Sequence, residues 1–160
     1  METKDKDLLL KDLCARLPYG VICHYDTIVP MVGKVKSYGR LYNISFFDVK
    51  PCFQFHCNRD VFDFDNVKPY LFPLSSMTEE QKRELLDLTG YEARCEESYG
   101  FDFWGFYVNI VGEYTYKDGK QSVILYPDDI GIDWLNAHYF DYRGLIEKGL
   151  AIDATGLNIY

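Results

Sequence analysis

Val21-Ile22-Cys23-His24-Tyr25-Asp26 is the stretch that decides the fold. Val21, Cys23 and Tyr25 alternate with Ile22, His24 and Asp26, the period of two that a half-buried strand requires. Further short strands follow over 28–36, 40–47 and 49–57, punctuated by Gly33, Gly39 and Asp48. Phe53 and Phe55 share one face of the last run, and Cys52, Gln54 and His56 the other. Pro30 and Pro51 withhold a ladder donor, so their strands lie at edges or begin at the proline.

Helices flank this region. Residues 4–17 read as an amphipathic helix with Thr3 as N-cap, Leu10, Leu13, Cys14 and Leu17 on one face, and Pro18-Tyr19-Gly20 as its stop. The two prolines in Val67-Lys68-Pro69-Tyr70-Leu71-Phe72-Pro73-Leu74 oppose a helix and predict an extended connection. Thr78-Glu79-Glu80-Gln81 is a capping box that opens a helix to about Leu88, burying Leu85, Leu86 and Leu88. Residues 103–116 and 120–126 read as a hairpin turned at Asp118-Gly119. Residues 132–139 and 142–149 read as two short helical pieces. The expected class is α+β: a small antiparallel sheet or partly closed barrel, an N-terminal helix, a capped middle helix and a C-terminal helical pair. One compact domain is expected over residues 1–151, with 152–160 as a loose tail.

Composition narrows the class further. Forty-eight per cent apolar residues and 17% aromatics in 160 residues exclude a disordered chain and can form a real core. No apolar run approaches the roughly 20 residues a bilayer span needs. Leu8-Leu9-Leu10 is too short for a signal-peptide core, so a cytosolic protein without membrane partners is expected. The five cysteines, Cys14, Cys23, Cys52, Cys57 and Cys95, then read as reduced and mostly buried thiols.

Net charge is −8, which argues against tight nonspecific DNA binding. It is unevenly spread: residues 28–59 carry Lys34, Lys36, Arg40, Lys50 and Arg59 against Asp48 alone. Residues 60–102 carry eleven acids and four bases. Lys34, Lys36 and Arg40 interleave with Tyr38, Tyr42, Phe46 and Phe47, the composition of a single-strand-binding sheet.

No phosphate loop or dinucleotide fingerprint is present, and no motif implies a cofactor. Cys52 and His56 form a weak metal pair, because adjacent strand residues such as Cys23 and His24 point to opposite faces. Cys95, between Arg94 and two glutamates, has no catalytic signature around it. His138 with Asp141 and Arg143 reads either as a base with an orienting carboxylate or as a structural tether of a helix junction.

Three segments carry a resemblance. They are Leu13-Cys14-Ala15-Arg16-Leu17-Pro18-Tyr19-Gly20-Val21, the run from Val67 to Glu80, and the run from Asp133 to Ala151. Together they resemble a group of small proteins from phages and prophages of gut bacteria. The resemblance implies a bacterial or phage cytosolic setting and carries no activity or functional residue with it.

The leading expectation is a non-enzymatic accessory protein that binds a protein partner through Trp134, His138, Asp141 and Arg143, with Trp104 and Tyr107. A nucleic-acid-binding module using Lys34, Lys36 and Arg40 is the alternative, and a metal-binding protein or hydrolase the third.

Overall fold

The computed structural model describes residues 1–29, 31–48, 50–56, 59–61, 64–88, 114–115, 124–125 and 129–160. The fold is α+β. Its described part groups into two compact units, residues 1–71 with 145–160, and residues 72–144.

The first unit opens with α1 (Thr3–Arg16), which runs into a 3-10 turn over Leu17–Tyr19. Glu2 rather than Thr3 stands at the N-cap and gives no side-chain cap bond. The buried face is Leu9, Asp12, Leu13 and Arg16, not Leu10, Leu13, Cys14 and Leu17. The reason is an ion pair one turn long. Arg16 Nε donates to Asp12 Oδ2 at 2.8 Å and Nη2 donates to Oδ1 at 3.1 Å, with both side chains fully buried. A bidentate pair of this kind neutralises itself, so it can take positions that apolar periodicity assigns to leucine.

Six strands follow in one sheet: β1 (Ile22–Val29), β2 (Gly33–Phe47), β3 (Lys50–Phe55), β4 (Arg59–Val61), β5 (Val67–Leu71) and, late in the chain, β8 (Ile152–Asp153). Their order is β4-β3-β2-β1-β5-β8, open at both ends. Every pairing is antiparallel except β5 with β8, so the sheet is mixed. The separate strands expected over 28–36 and 40–47 are instead a turn and one long strand that continues through Gly39. Pro51 lies one residue into β3 and precedes Phe53, where pairing with β4 begins. Pro69 lies inside β5, and β8 engages only Tyr70 and Leu71 beyond it.

One face of this sheet is the core. Cys23, Tyr25, Leu41, Phe53, Phe55, Val67 and Leu71 have no exposed surface. Tyr25 and Phe55 stack with ring centroids 4.2 Å apart, an aromatic pair worth about 0.5–1.5 kcal/mol beyond its buried area. Burial pushes the Cys23 thiol far up, and the charge of Asp12 adds to it, which places α1 against this face.

The second unit holds α2 (Glu79–Leu88), the strand pair β6 (Tyr114–Thr115) and β7 (Ile124–Leu125), and α3 (Asp129–Ala137). The capping box forms: Gln81 N donates to Thr78 Oγ1 at 3.2 Å and Thr78 N donates to Gln81 Oε1 at 2.9 Å. Leu85 is buried, whereas Leu88 is exposed. Tyr114 pairs with Leu125 and Thr115 with Ile124, as the expected hairpin requires, and its Asp118-Gly119 turn lies outside the described residues.

The C-terminal helical pair reduces to one helix. Tyr139, at φ +60°, ends α3, and residues 142–149 form successive turns in which Gly144 and Gly149 take left-handed φ. Residues 152–160, read from the sequence as a tail, contain β8 and a tether: the Tyr160 hydroxyl accepts from Ile22 N at 3.2 Å and donates to the Tyr70 carbonyl at 2.7 Å. Among the described residues no helix is long and apolar enough to cross a membrane.

Candidate functional site

Directly paired residues in an antiparallel ladder point to the same side of the sheet. The register therefore fixes what the outer face of β1, β2 and β5 carries. His24 lies opposite Tyr38 on β2 and Lys68 on β5; Asp26 lies opposite Lys36, Ile28 opposite Lys34, and Ile22 opposite Arg40. Along β2, Lys34, Lys36, Tyr38, Arg40 and Tyr42 are all exposed, while the residues between them are half-buried or, at Leu41, fully buried. Tyr38 is 68% exposed and Tyr42 44%, unusual for large aromatic side chains beside a packed core.

Two local devices hold this row. The ladder between β2 and β3 slips between Leu41 and Asn43, so Tyr42 is the extra residue of a bulge. It stays on the open side, where its ring lies 5.0 Å from that of His56. At the other side of the row, Arg40 lies across Gly20, where a Cβ would stand 2.8 Å from Nη1. Gly20 also needs its φ of +66° to leave the 3-10 turn, so one glycine ends the helical segment and gives Arg40 its lane.

The face is cationic inside an acidic chain. Lys34, Lys36, Arg40 and Lys68 stand against one carboxylate, Asp26. Lys34 Nζ sits 2.9 Å from Asp26 Oδ2 and 3.4 Å from Asn66 Oδ1. That hydrogen bond holds the Asp26 carboxyl below the usual carboxylate range, with the charges of Lys34, His24 and Lys36 adding to it. Among the described residues Lys36, Arg40 and Lys68 have no ion-pair partner. Tyr70 stays a neutral phenol to higher pH than usual, chiefly through desolvation and then through the nearby Tyr38. Cations on flexible stems beside exposed rings can hold phosphates and stack bases.

The residues expected to bind a protein partner lie elsewhere. Trp134 is 6% exposed and belongs to a core with Met77, Leu85, Leu135, Phe140 and Tyr142. Its ring stacks on His138, centroids 3.9 Å apart, and on Phe140 at 5.8 Å. His138 Nδ1 bonds the Trp134 carbonyl at 2.9 Å, so the ring is oriented by a backbone oxygen and reads as a helix tether. Asp141 is buried; its N–H donates to the Phe72 carbonyl at 2.8 Å, and the Phe72 N–H donates to the Tyr139 carbonyl at 2.9 Å. The guanidinium of Arg143 lies 4.7 Å above the Tyr142 ring. Trp104 and Tyr107 lie outside the described residues, as do Cys57 and Cys95.

Cys52 is fully buried while His56, four residues on, is exposed. Among the described residues no group of three or more His, Cys, Asp or Glu is gathered as a metal site. Cys23 and Cys52 are buried, and Cys14 is exposed.

Sequence reading found Lys34, Lys36 and Arg40 but missed His24, Lys68 and Tyr70 on the same face. His24 joins it through the β1–β2 register, and Lys68 and Tyr70 through the β1–β5 register, which pairs residues more than forty apart. No protein-family model, curated protein or solved structure matches the chain.

Proposed function

We propose that this chain binds single-stranded nucleic acid across the outer face of β1, β2 and β5. The observation that carries the reading is the single exposed row of β2: Lys34, Lys36, Tyr38, Arg40 and Tyr42, with His24 and Lys68 alongside. The lysines and Arg40 neutralise backbone phosphates, and Tyr38 and Tyr42 offer stacking surfaces that tolerate any base. The acidity of the rest of the chain limits affinity and steers the strand to this one face. A bacterial or phage cytosol, the setting that the resemblance implies, contains such strands during replication and transcription. The protein-partner reading is the weaker one: of its described residues Trp134 and Asp141 are buried, and His138 and Arg143 are half-buried.

The test is fluorescence anisotropy with a labelled 12-nucleotide strand at several salt concentrations. The triple variant Lys34→Ala/Lys36→Ala/Arg40→Ala should weaken binding by about tenfold or more and flatten the log–log salt slope by about 2. Equal binding by wild type and triple variant removes the proposal.

A further inference from the structure

The β1–β2 ladder outruns its neighbours. It continues for four rungs, from Asp26↔Lys36 to Val29↔Gly33, past the last residue that β5 pairs with, Tyr25. On the other edge, β3 pairs with β2 only from Leu41 onward. The result is a two-stranded arm of roughly 13 Å whose outer edges pair with no other strand among the described residues. The Phe64–Asn66 turn reaches the arm through the Lys34–Asn66 hydrogen bond, one rung short of the last pair.

The tip of this arm is apolar and open to solvent. Ile28 is 78% exposed, Val32 71%, and Met31 as exposed as in an unfolded chain at 108%. Met31 also holds a φ of +67°, a backbone region that costs a side-chain-bearing residue free energy. Three large apolar groups presented together at the end of an arm mark an interaction site rather than chance exposure.

We infer that this tip is a wedge that enters between stacked bases where single strand meets duplex, while Lys34 and Lys36 hold the flanking phosphates. The inference rests on the reading of the sheet face as a nucleic-acid surface and assigns the arm a separate role in it. Charge and continuity name the occupant. Lys34 and Lys36 stand on the arm itself and begin the row that passes through Tyr38, Arg40 and Tyr42. A strand lying on that row is led directly to the tip. Apolar side chains that part a base step, flanked by cations on the backbone, are a general way of unstacking nucleic acid. Burial of the tip between bases then replaces the stacking contact that is lost.

The test uses the full chain and a duplex with a single-stranded tail, carrying 2-aminopurine at the first base pair. Two quantities are read: affinity for the tail alone, and 2-aminopurine emission, which rises on unstacking. Wild type should raise emission at least about twofold at saturation. Ile28→Ser/Met31→Ser/Val32→Ser should abolish that rise while keeping tail affinity within about twofold, because the charged row is intact. These side chains are largely exposed, so their loss should cost the fold little, and Met31→Gly, which also relieves the positive φ, is the second variant and should lose part of the rise.

Tail binding with no rise in emission overturns the wedge and leaves the sheet-face proposal standing. Absence of tail binding overturns both. Loss of self-association in light scattering on tip substitution assigns the tip to a second copy of the chain. Loss of sedimentation with phosphatidylglycerol vesicles assigns it to a membrane surface. Either result overturns the wedge.

Discussion

The row along β2 and the segment from Asp133 to Arg143 look alike in sequence: each interleaves aromatic rings with charged or polar groups. They end in opposite environments. In β2 the period of two sends Lys34, Lys36, Tyr38, Arg40 and Tyr42 to one side, and that side is open. In the C-terminal segment the helical period of α3 gathers Trp134, Leu135 and, after the left-handed Tyr139, Phe140 onto a core shared with α2. Aromatic richness alone therefore separates neither a binding face from a core nor an anchor from a ligand site. The backbone period, together with what lies on the far side of the element, makes the separation.

Substitutions at the two places should move different observables. Trp134→Ala should cost about 3–5 kcal/mol in chemical denaturation, since it removes a large ring from a packed cluster and leaves His138 and Phe140 without their stacking partner. A comparably stable variant would place Trp134 outside the core and undo the contrast. In the first unit, Asp12→Ala should cost a similar amount, about 3–5 kcal/mol, because Arg16 would remain buried without its carboxylate. Replacing both residues by leucine should recover much of that loss, and the double variant is the control for packing.

On the open face the order of effects reverses. Tyr38→Ala should change the denaturation midpoint little and cost about 1–3 kcal/mol of single-strand affinity in anisotropy. If stability falls and affinity stays, the ring serves the fold and the contrast collapses.

Asp26 gives the smallest and most diagnostic effect. Its carboxyl is held low by Lys34, so the pair's contribution to folding is complete above the ordinary aspartate range, near 4, and is lost as pH falls through the lower folded value. Asp26→Asn removes the single carboxylate of the face and frees the Lys34 ammonium. Single-strand affinity should rise by about two- to fivefold, the equivalent of an exposed ion pair's worth. A fall would mean that Asp26 positions Lys34 rather than competing with the phosphate.

Much of the fold was legible because local chemistry and tertiary context agree. The Thr78–Gln81 capping box formed as read, the period of two at Val21–Asp26 became the buried and open faces of β1, and Pro18 with Gly20 stopped the first helix. Misreadings fell where a tertiary partner overrode the local signal. Leu10 and Cys14 gave way to Leu9, Asp12 and Arg16 because a self-neutralising ion pair is invisible to apolar periodicity. Gly39, read as a break, continues β2 because β1 pairs with it across the ladder. Residues 142–149 have apolar spacing suited to a helix, but Gly144 and Gly149 sit in left-handed conformations that end helical hydrogen bonding.

The sequence by itself determined the α+β class, the start of α2 and the alternation that puts Lys34, Lys36 and Arg40 on one side of a strand, since each follows from interactions within a few residues. Tertiary structure alone decided that this side is the open one. It also brought His24, Lys68 and Tyr70 to the same face, left the end of the β1–β2 ladder with no further strand pairing among the described residues, and closed Trp134, Leu135, Phe140 and Tyr142 into a core. The physical reason is that exposure belongs to whatever packs against an element, and the pairing of β1 with β5 and the docking of α3 on α2 join residues that local rules cannot connect.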